Sequence, residues 1–194
     1  MYDLSELEER LRTQRPSAWD QLPDFALYMD QILSYMDRQV IRLEDSDALT
    51  AAMVNNYTKT GLVPRAEGKK YNREHLAYLT AICVMKRVMS TKDMDLLIRE
   101  ELRGDRSVED GYAAFCASLD KALNIAAGEM AQRQDDPDRP EDSNLADSAI
   151  HFALMSYAAG VVSSRYVALL RERKEQEAAA TEPPKKRKKE KERD

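Results

Sequence analysis

The stretch NNYTKTGLVPRAEGKKYNR, residues 55 to 73, gathers the side chains of this chain that are best suited to holding an anion. Lys59, Arg65, Lys69, Lys70 and Arg73 bring five cations, and between Lys59 and Arg73 the sole acid is Glu67. Cations at this density suit the phosphates of a nucleic-acid duplex. Neutralising five phosphates would give log affinity a slope on log salt of about −4 to −5. Asn55 and Asn56 carry primary amides that can pair with N6 and N7 of adenine, a bidentate contact that discriminates by about 1–3 kcal/mol. Tyr57 and Tyr71 each have a hydroxyl to offer a phosphate oxygen. The plainer alternative is a solvated basic turn with an exposed asparagine pair and packed tyrosines.

Other chemistries find little support. His75 and His151 stand far from any metal-ligand spacing. Cys83 and Cys116 are isolated within apolar helical patterns and are expected as buried, reduced thiols, which fits a cytoplasmic protein. No nucleophile has a base at a recognisable spacing, and no Gly-rich loop is arranged to cradle a phosphate. The expectation is a non-enzyme without a metal or cofactor. His75, inside REHLAY, is expected on a helix surface. Met29, Met36, Met85, Met89 and Met130 read as adaptable core filler.

The elements that must position the basic stretch are helices. The chain has 194 residues, 43% hydrophobic and 34% charged, with six Gly and seven Pro, and strand-like alternation is scarce. Leu4, Leu7 and Leu11 share a face of a helix over 4–15, with Ser5 and Glu8 as a capping box. Asp24 is placed to cap a helix over 25–40 that turns Phe25, Met29, Ile32, Met36 and Val40 inward. RLEDSD breaks the pattern. A compact helix follows over 50–60, closed by Gly61. Pro64 and Gly68 mark a turn, Asn72 caps the next helix, Ser90 another, and Ser107 a long one to about 133. QDDPDRPEDSN then leads to a last helix over about 145–178.

Charge follows these divisions: −6 over residues 1–48, +4 over 49–103, −7 over 104–182 and +4 in the tail 183–194. Acidic flanks would confine nucleic-acid contact to one face. MYDLSELEERLRTQR is charged from its third residue, so no signal peptide is expected there. The uncharged run SAIHFALMSYAAGVVSS, 148–164, is short and too polar for a confident membrane span, so a buried helix and no membrane are expected.

Between 49 and 98 the chain resembles the DNA-binding half of MerR-type winged-helix regulators. Tyr57, Gly61, Leu62, Val63, Pro64, Tyr71, Leu76, Leu79, Ser90 and Ile98 match that family's pattern, and Lys69 and Lys70 stand where it often has two arginines. The longer pattern over about 20–130 also resembles a bacterial domain of unknown function. Scarce strand-like alternation predicts an all-α fold, and two long helical patterns joined by one connection predict an antiparallel pair over 104–180; the MerR resemblance adds a small β wing and a winged helix-turn-helix-like part over 25–103. An N-terminal helix and loop, 1–24, and a disordered basic tail, 181–194, complete the plan. It further implies a transcriptional regulator that binds double-stranded DNA through Asn55, Asn56, Tyr57, Lys59, Arg65, Lys69, Lys70, Tyr71 and Arg73. The apolar surface over 145–170 adds the expectation of a homodimer. The rival reading is a helical interaction or adaptor module that keeps the scaffold without DNA. It rests on the mostly acidic surface, and on Asn55, Asn56 and Tyr57 where the family places an arginine and two tyrosines.

Overall fold

The computed structural model describes residues 3–42, 48–134 and 144–181. Most of RLEDSD, the QDDPDRPEDSN connection and nearly all of the basic tail lie outside the described residues. The chain divides into two units, Met1–Leu145 and Ala146–Asp194. The described residues are helical: α1 Leu4–Thr13, a 3-10 turn Trp19–Gln21, α2 Met29–Met36, α3 Ala51–Thr60, α4 Arg73–Met85, α5 Thr91–Glu101, α6 Val108–Gln134 and α7 Asn144–Thr181.

Most helix starts have a side-chain cap of the expected kind. Thr50 accepts from the Met53 N–H, Asn72 from His75, Ser90 from Asp93 and Ser107 from Asp110. Gly61 closes α3 in the left-handed region at φ 78°, where a Cβ would be strained. At α1 the cap is Asp3, which accepts from Glu6, rather than the expected Ser5. The second helix is shorter than expected. Residues 25–28 are not helical because Leu27 pairs its backbone with Tyr71 in an antiparallel bridge, both N–H···O bonds at 2.8 Å. Phe25, expected inward, is consequently 64% exposed.

The core of the first unit is built around α4, which buries His75, Leu76, Ala77, Leu79, Thr80, Ile82 and Cys83. So many buried positions in thirteen residues leave no single polar face: α4 is the central helix, touched by α2 on one side and α6 on another. Ile32 and Met36 from α2, Val54 and Tyr57 from α3, and Met94 from α5 complete the packing. Helix α1 lies on α6, where Arg15 donates to Asp120 and Asn124. The loop after α1 is tied down at Ser17. Its N–H donates to Gln39, its hydroxyl accepts from Tyr35 and Gln39, and its carbonyl accepts from Tyr112 at 2.8 Å. Buried polar groups satisfied in this way specify one arrangement of the loop. The second unit, as far as it is described, is the long helix α7.

Candidate nucleic-acid interface

The basic stretch lies on α3 and the turn that follows it. On α3, Val54 and Tyr57 point into the core, which leaves Asn55, Asn56 and Lys59 exposed on the opposite side. Spacing alone explains this, because residues three and four apart share a helix face. Val63 and Leu62, both buried, then anchor the chain under the start of the turn.

The turn itself is a two-residue hairpin. Glu67 and Lys70 exchange both backbone hydrogen bonds, at 3.2 and 2.9 Å, across Gly68 and Lys69. Both central residues have positive φ, 55° at Gly68 and 65° at Lys69, the geometry that matches the twist of an antiparallel pair. Glycine takes this conformation freely, but at Lys69 it carries a cost of about 1–2 kcal/mol. It holds a lysine at the tip of the loop. Residue 71 then pairs with Leu27, so the hairpin is stitched to the segment before α2. Among the described residues these two isolated bridges are the only β pairing, and no strand forms.

Two side chains outside the expected set support the turn. His75, expected on the surface, is 4% exposed: its Nδ1 lies 3.1 Å from the Asn72 backbone nitrogen and its Nε2 lies 3.4 Å from the Arg65 carbonyl oxygen. The imidazole therefore joins the start of α4 to the turn. It also meets the Tyr71 ring edge-on. Tyr28, half exposed, lies under Lys70, whose Nζ is 5.4 Å from the ring centroid, within cation–π range. The sequence signal for His75 was its place three residues after the Asn72 cap, where Glu or Gln usually reaches back. Tyr28 left no such signal, because its position depends on the Leu27–Tyr71 bridge.

The nine residues expected at the interface divide into three sets. Asn55, Asn56, Lys59, Arg65, Lys69 and Lys70 are exposed, the first three on α3 and the others on the turn. Tyr57 and Tyr71 are each 6% exposed and belong to the core. Burial pushes the Tyr57 phenol above its ordinary pKa, with the nearby Cys83 adding to the rise. Arg73 turns toward the N-terminal loop, where it donates to the Leu22 carbonyl at 3.1 Å and stacks on Trp19 at 5.7 Å.

The exposed group differs from most of the arginines in its electrostatics. Most arginines elsewhere hold carboxylates: Arg12 with Glu8 at 3.0 Å, Arg15 with Asp120 at 2.5 Å, Arg42 with Asp37 at 3.2 Å and Arg99 with Asp95 at 2.8 Å. Among the described residues, Lys59, Arg65, Lys69 and Lys70 form no ion pair with a carboxylate. Four cations without counter-charges, beside two exposed amides, present a positive field ready for an anion.

On the other side of the core, α4, α5 and α6 enclose an open apolar groove of about 330 Å³, lined by Met85, Leu97, Leu102, Val108 and Phe115 among others. Gly111 on α6 makes the approach of α5 possible, since a Cβ there would lie 2.9 Å from the Leu102 side chain. Both cysteines are free thiols. Burial raises the Cys83 thiol to about 11, and burial also raises Cys116, which neighbours Tyr112.

No curated protein and no solved structure matches this chain. A family model does match, over residues 17–115, from the loop pinned at Ser17 through the helices that carry the basic face to Phe115 on α6. The kinship expected over about 20–130 is thus found over most of that range, and the chain belongs to the family described as Domain of unknown function (DUF1836).

Proposed function

We propose that this protein is a non-enzymatic, cytoplasmic DNA-binding regulator that meets duplex DNA through the face of α3 and the hairpin turn 64–70. The observation that carries the reading is the set of four exposed cations, Lys59, Arg65, Lys69 and Lys70, without carboxylate partners in a chain whose net charge is −5. In this reading α3 acts as a recognition helix and offers Asn55 and Asn56 to base edges, while the turn acts as a wing along the phosphate backbone. Tyr28 holds Lys70 from below and can donate its own hydroxyl to a phosphate. Tyr57, Tyr71 and Arg73 support the face from behind. The MerR-like pattern of residues 49–98 agrees with this division, since its apolar members Leu62, Leu76 and Leu79 are core and its basic members are surface.

The test is a salt titration of binding to random and to genomic duplexes. Four phosphate contacts give an expected slope of log affinity on log salt of about −4. Lys69→Glu with Lys70→Glu is expected to weaken binding by roughly 100-fold and to flatten the slope by about 2. Absence of binding at low salt would remove this reading and leave a helical interaction module.

A further inference from the structure

The second unit presents a helix whose apolar surface is uncovered. On α7, Leu145, Ile150, Leu154, Met155, Tyr157, Val161, Val162, Tyr166 and Leu169 are all more than 40% exposed. At roughly 100 Å² for each large apolar side chain, they expose on the order of 900 Å² per chain. That exceeds the roughly 300–600 Å² of the largest apolar patch on an ordinary monomer. It is close to the roughly 800 Å² that each partner contributes to a standard stable interface.

The exposed residues are not scattered. Ile150, Leu154, Tyr157 and Val161 follow one another at steps of four, three and four, and Ser164 and Ala168 continue the rhythm. This is the seven-residue repeat by which one helix packs along another, with apolar side chains entering the gaps of the facing seam. Met155, Ala159, Val162, Tyr166 and Leu169 repeat the rhythm on a second line around the helix. Helices with more than one such line are members of bundles.

We propose that α7 is a self-association helix, covered by α7 of a second copy of this chain along the Ile150–Leu154–Tyr157–Val161 seam. The run 148–164 carries no Asp, Glu, Lys or Arg, so the seam holds no charge pattern that would select a foreign helix. Identical uncharged seams are self-complementary about a two-fold axis without such a pattern. A lipid bilayer is the competing cover, since Leu145–Ala180 is long and apolar enough to cross one, with a mean hydropathy of 1.3 in its most apolar window. Three features disfavour it. The uncharged run rises only about 26 Å, short of a hydrocarbon core of about 30 Å. Asp147 and Arg165 bound it. His151, Ser148, Ser156, Ser163 and Ser164 lie inside it. The inference is independent of DNA binding: a self-associating chain that ignores DNA satisfies it fully.

The experiment measures the mass of the full chain by light scattering and sedimentation at about 50 µM, where a standard interface is populated, with flotation against phosphatidylcholine–phosphatidylglycerol vesicles in parallel. The expected mass is twice the 22.2 kDa of one chain, without flotation. Leu154→Glu with Val161→Glu is expected to halve that mass, whereas Ser156→Glu, an exposed site on the opposite side of α7, keeps it. Far-ultraviolet circular dichroism checks that the variants retain their helix. A wild-type monomer, flotation with the vesicles, or equal loss in the Ser156→Glu control would each overturn the proposal.

Discussion

The face of α3 and its turn, and the helix α7, both leave functional-looking side chains uncovered, but in opposite chemistries and on opposite kinds of support. Lys59, Arg65, Lys69 and Lys70 are polar groups on a backbone held from beneath by Val54, Tyr57, Leu62 and Val63, all buried. Water can serve those cations, so exposure costs nothing and the region is complete as it stands. On α7 the uncovered groups are Ile150, Leu154, Tyr157 and Val161, which water serves badly. That region is complete only when something apolar covers it. A solvated charged face on a packed core is a platform, whereas an exposed apolar stripe along a helix is half of an interface.

The contrast can be broken first by pH. The packed unit seals acidic groups from solvent: burial raises Cys83 to about 11, and raises Tyr57 and Tyr112 above their ordinary values as well. The unfolded thiol ionises near 9, the folded one near 11. Stability from this group is therefore fully present below pH 9 and is lost as pH rises toward 11. Cys83 alone accounts for about 2–3 kcal/mol over that interval. The urea midpoint is expected to fall steeply between pH 8.5 and about 11. Cys83→Ala should lose distinctly less over the same range, and a flat wild-type profile would contradict the sealed core.

A matched pair of substitutions sharpens the comparison at constant chemistry. Val54 on α3 is fully buried and Val162 on α7 is 56% exposed. Val54→Ala removes two methyl groups from a packed site and is expected to cost about 2 kcal/mol. In the dissociated chain, at low micromolar concentration, Val162→Ala loses little contact and gains helix propensity, so its effect there should stay within about 0.5 kcal/mol. Denaturant unfolding of both variants measures the difference, and equal costs would place α7 inside a core.

Where the sequence spoke clearly, it did so through local rules. Gly61, Asn72, Ser90 and Ser107 act only on neighbouring backbone, so their residue types sufficed to mark the end of α3 and the starts of α4, α5 and α6. Helical spacing places Val54 and Tyr57 on one face of α3 and Asn55 and Asn56 on the other, so Tyr57, expected at the interface beside the asparagines, belongs to the core instead. The other misreadings came from long-range pairing. Phe25 fitted a helical stripe, but the bond between Leu27 and Tyr71, forty-four residues away in sequence, pulled that segment out of the helix. Arg73 sat among the other cations in the text, yet its position at the first turn of α4 directs it to Leu22 and Trp19. His75 was misjudged for the same reason, since the turn that buries it is made elsewhere.

The smallest effect separates the uses of one residue. Lys69 combines an unfavourable left-handed backbone with a cation at the tip of the turn. If the tip served only to reverse the chain, glycine would serve it better. Lys69→Gly is expected to raise stability by about 0.5 kcal/mol, because relief of the strained φ outweighs the extra freedom glycine brings to the unfolded chain. The same change removes one phosphate contact from the proposed interface, so binding should weaken several-fold at moderate salt and the salt slope should flatten by about 1. Thermal unfolding and the duplex titration read the two effects independently. A variant that is more stable and still binds duplexes as the wild type does would show that the lysine at the tip has no part in holding DNA. A variant that is more stable and binds less shows a local conformational cost kept in place by the contact it makes.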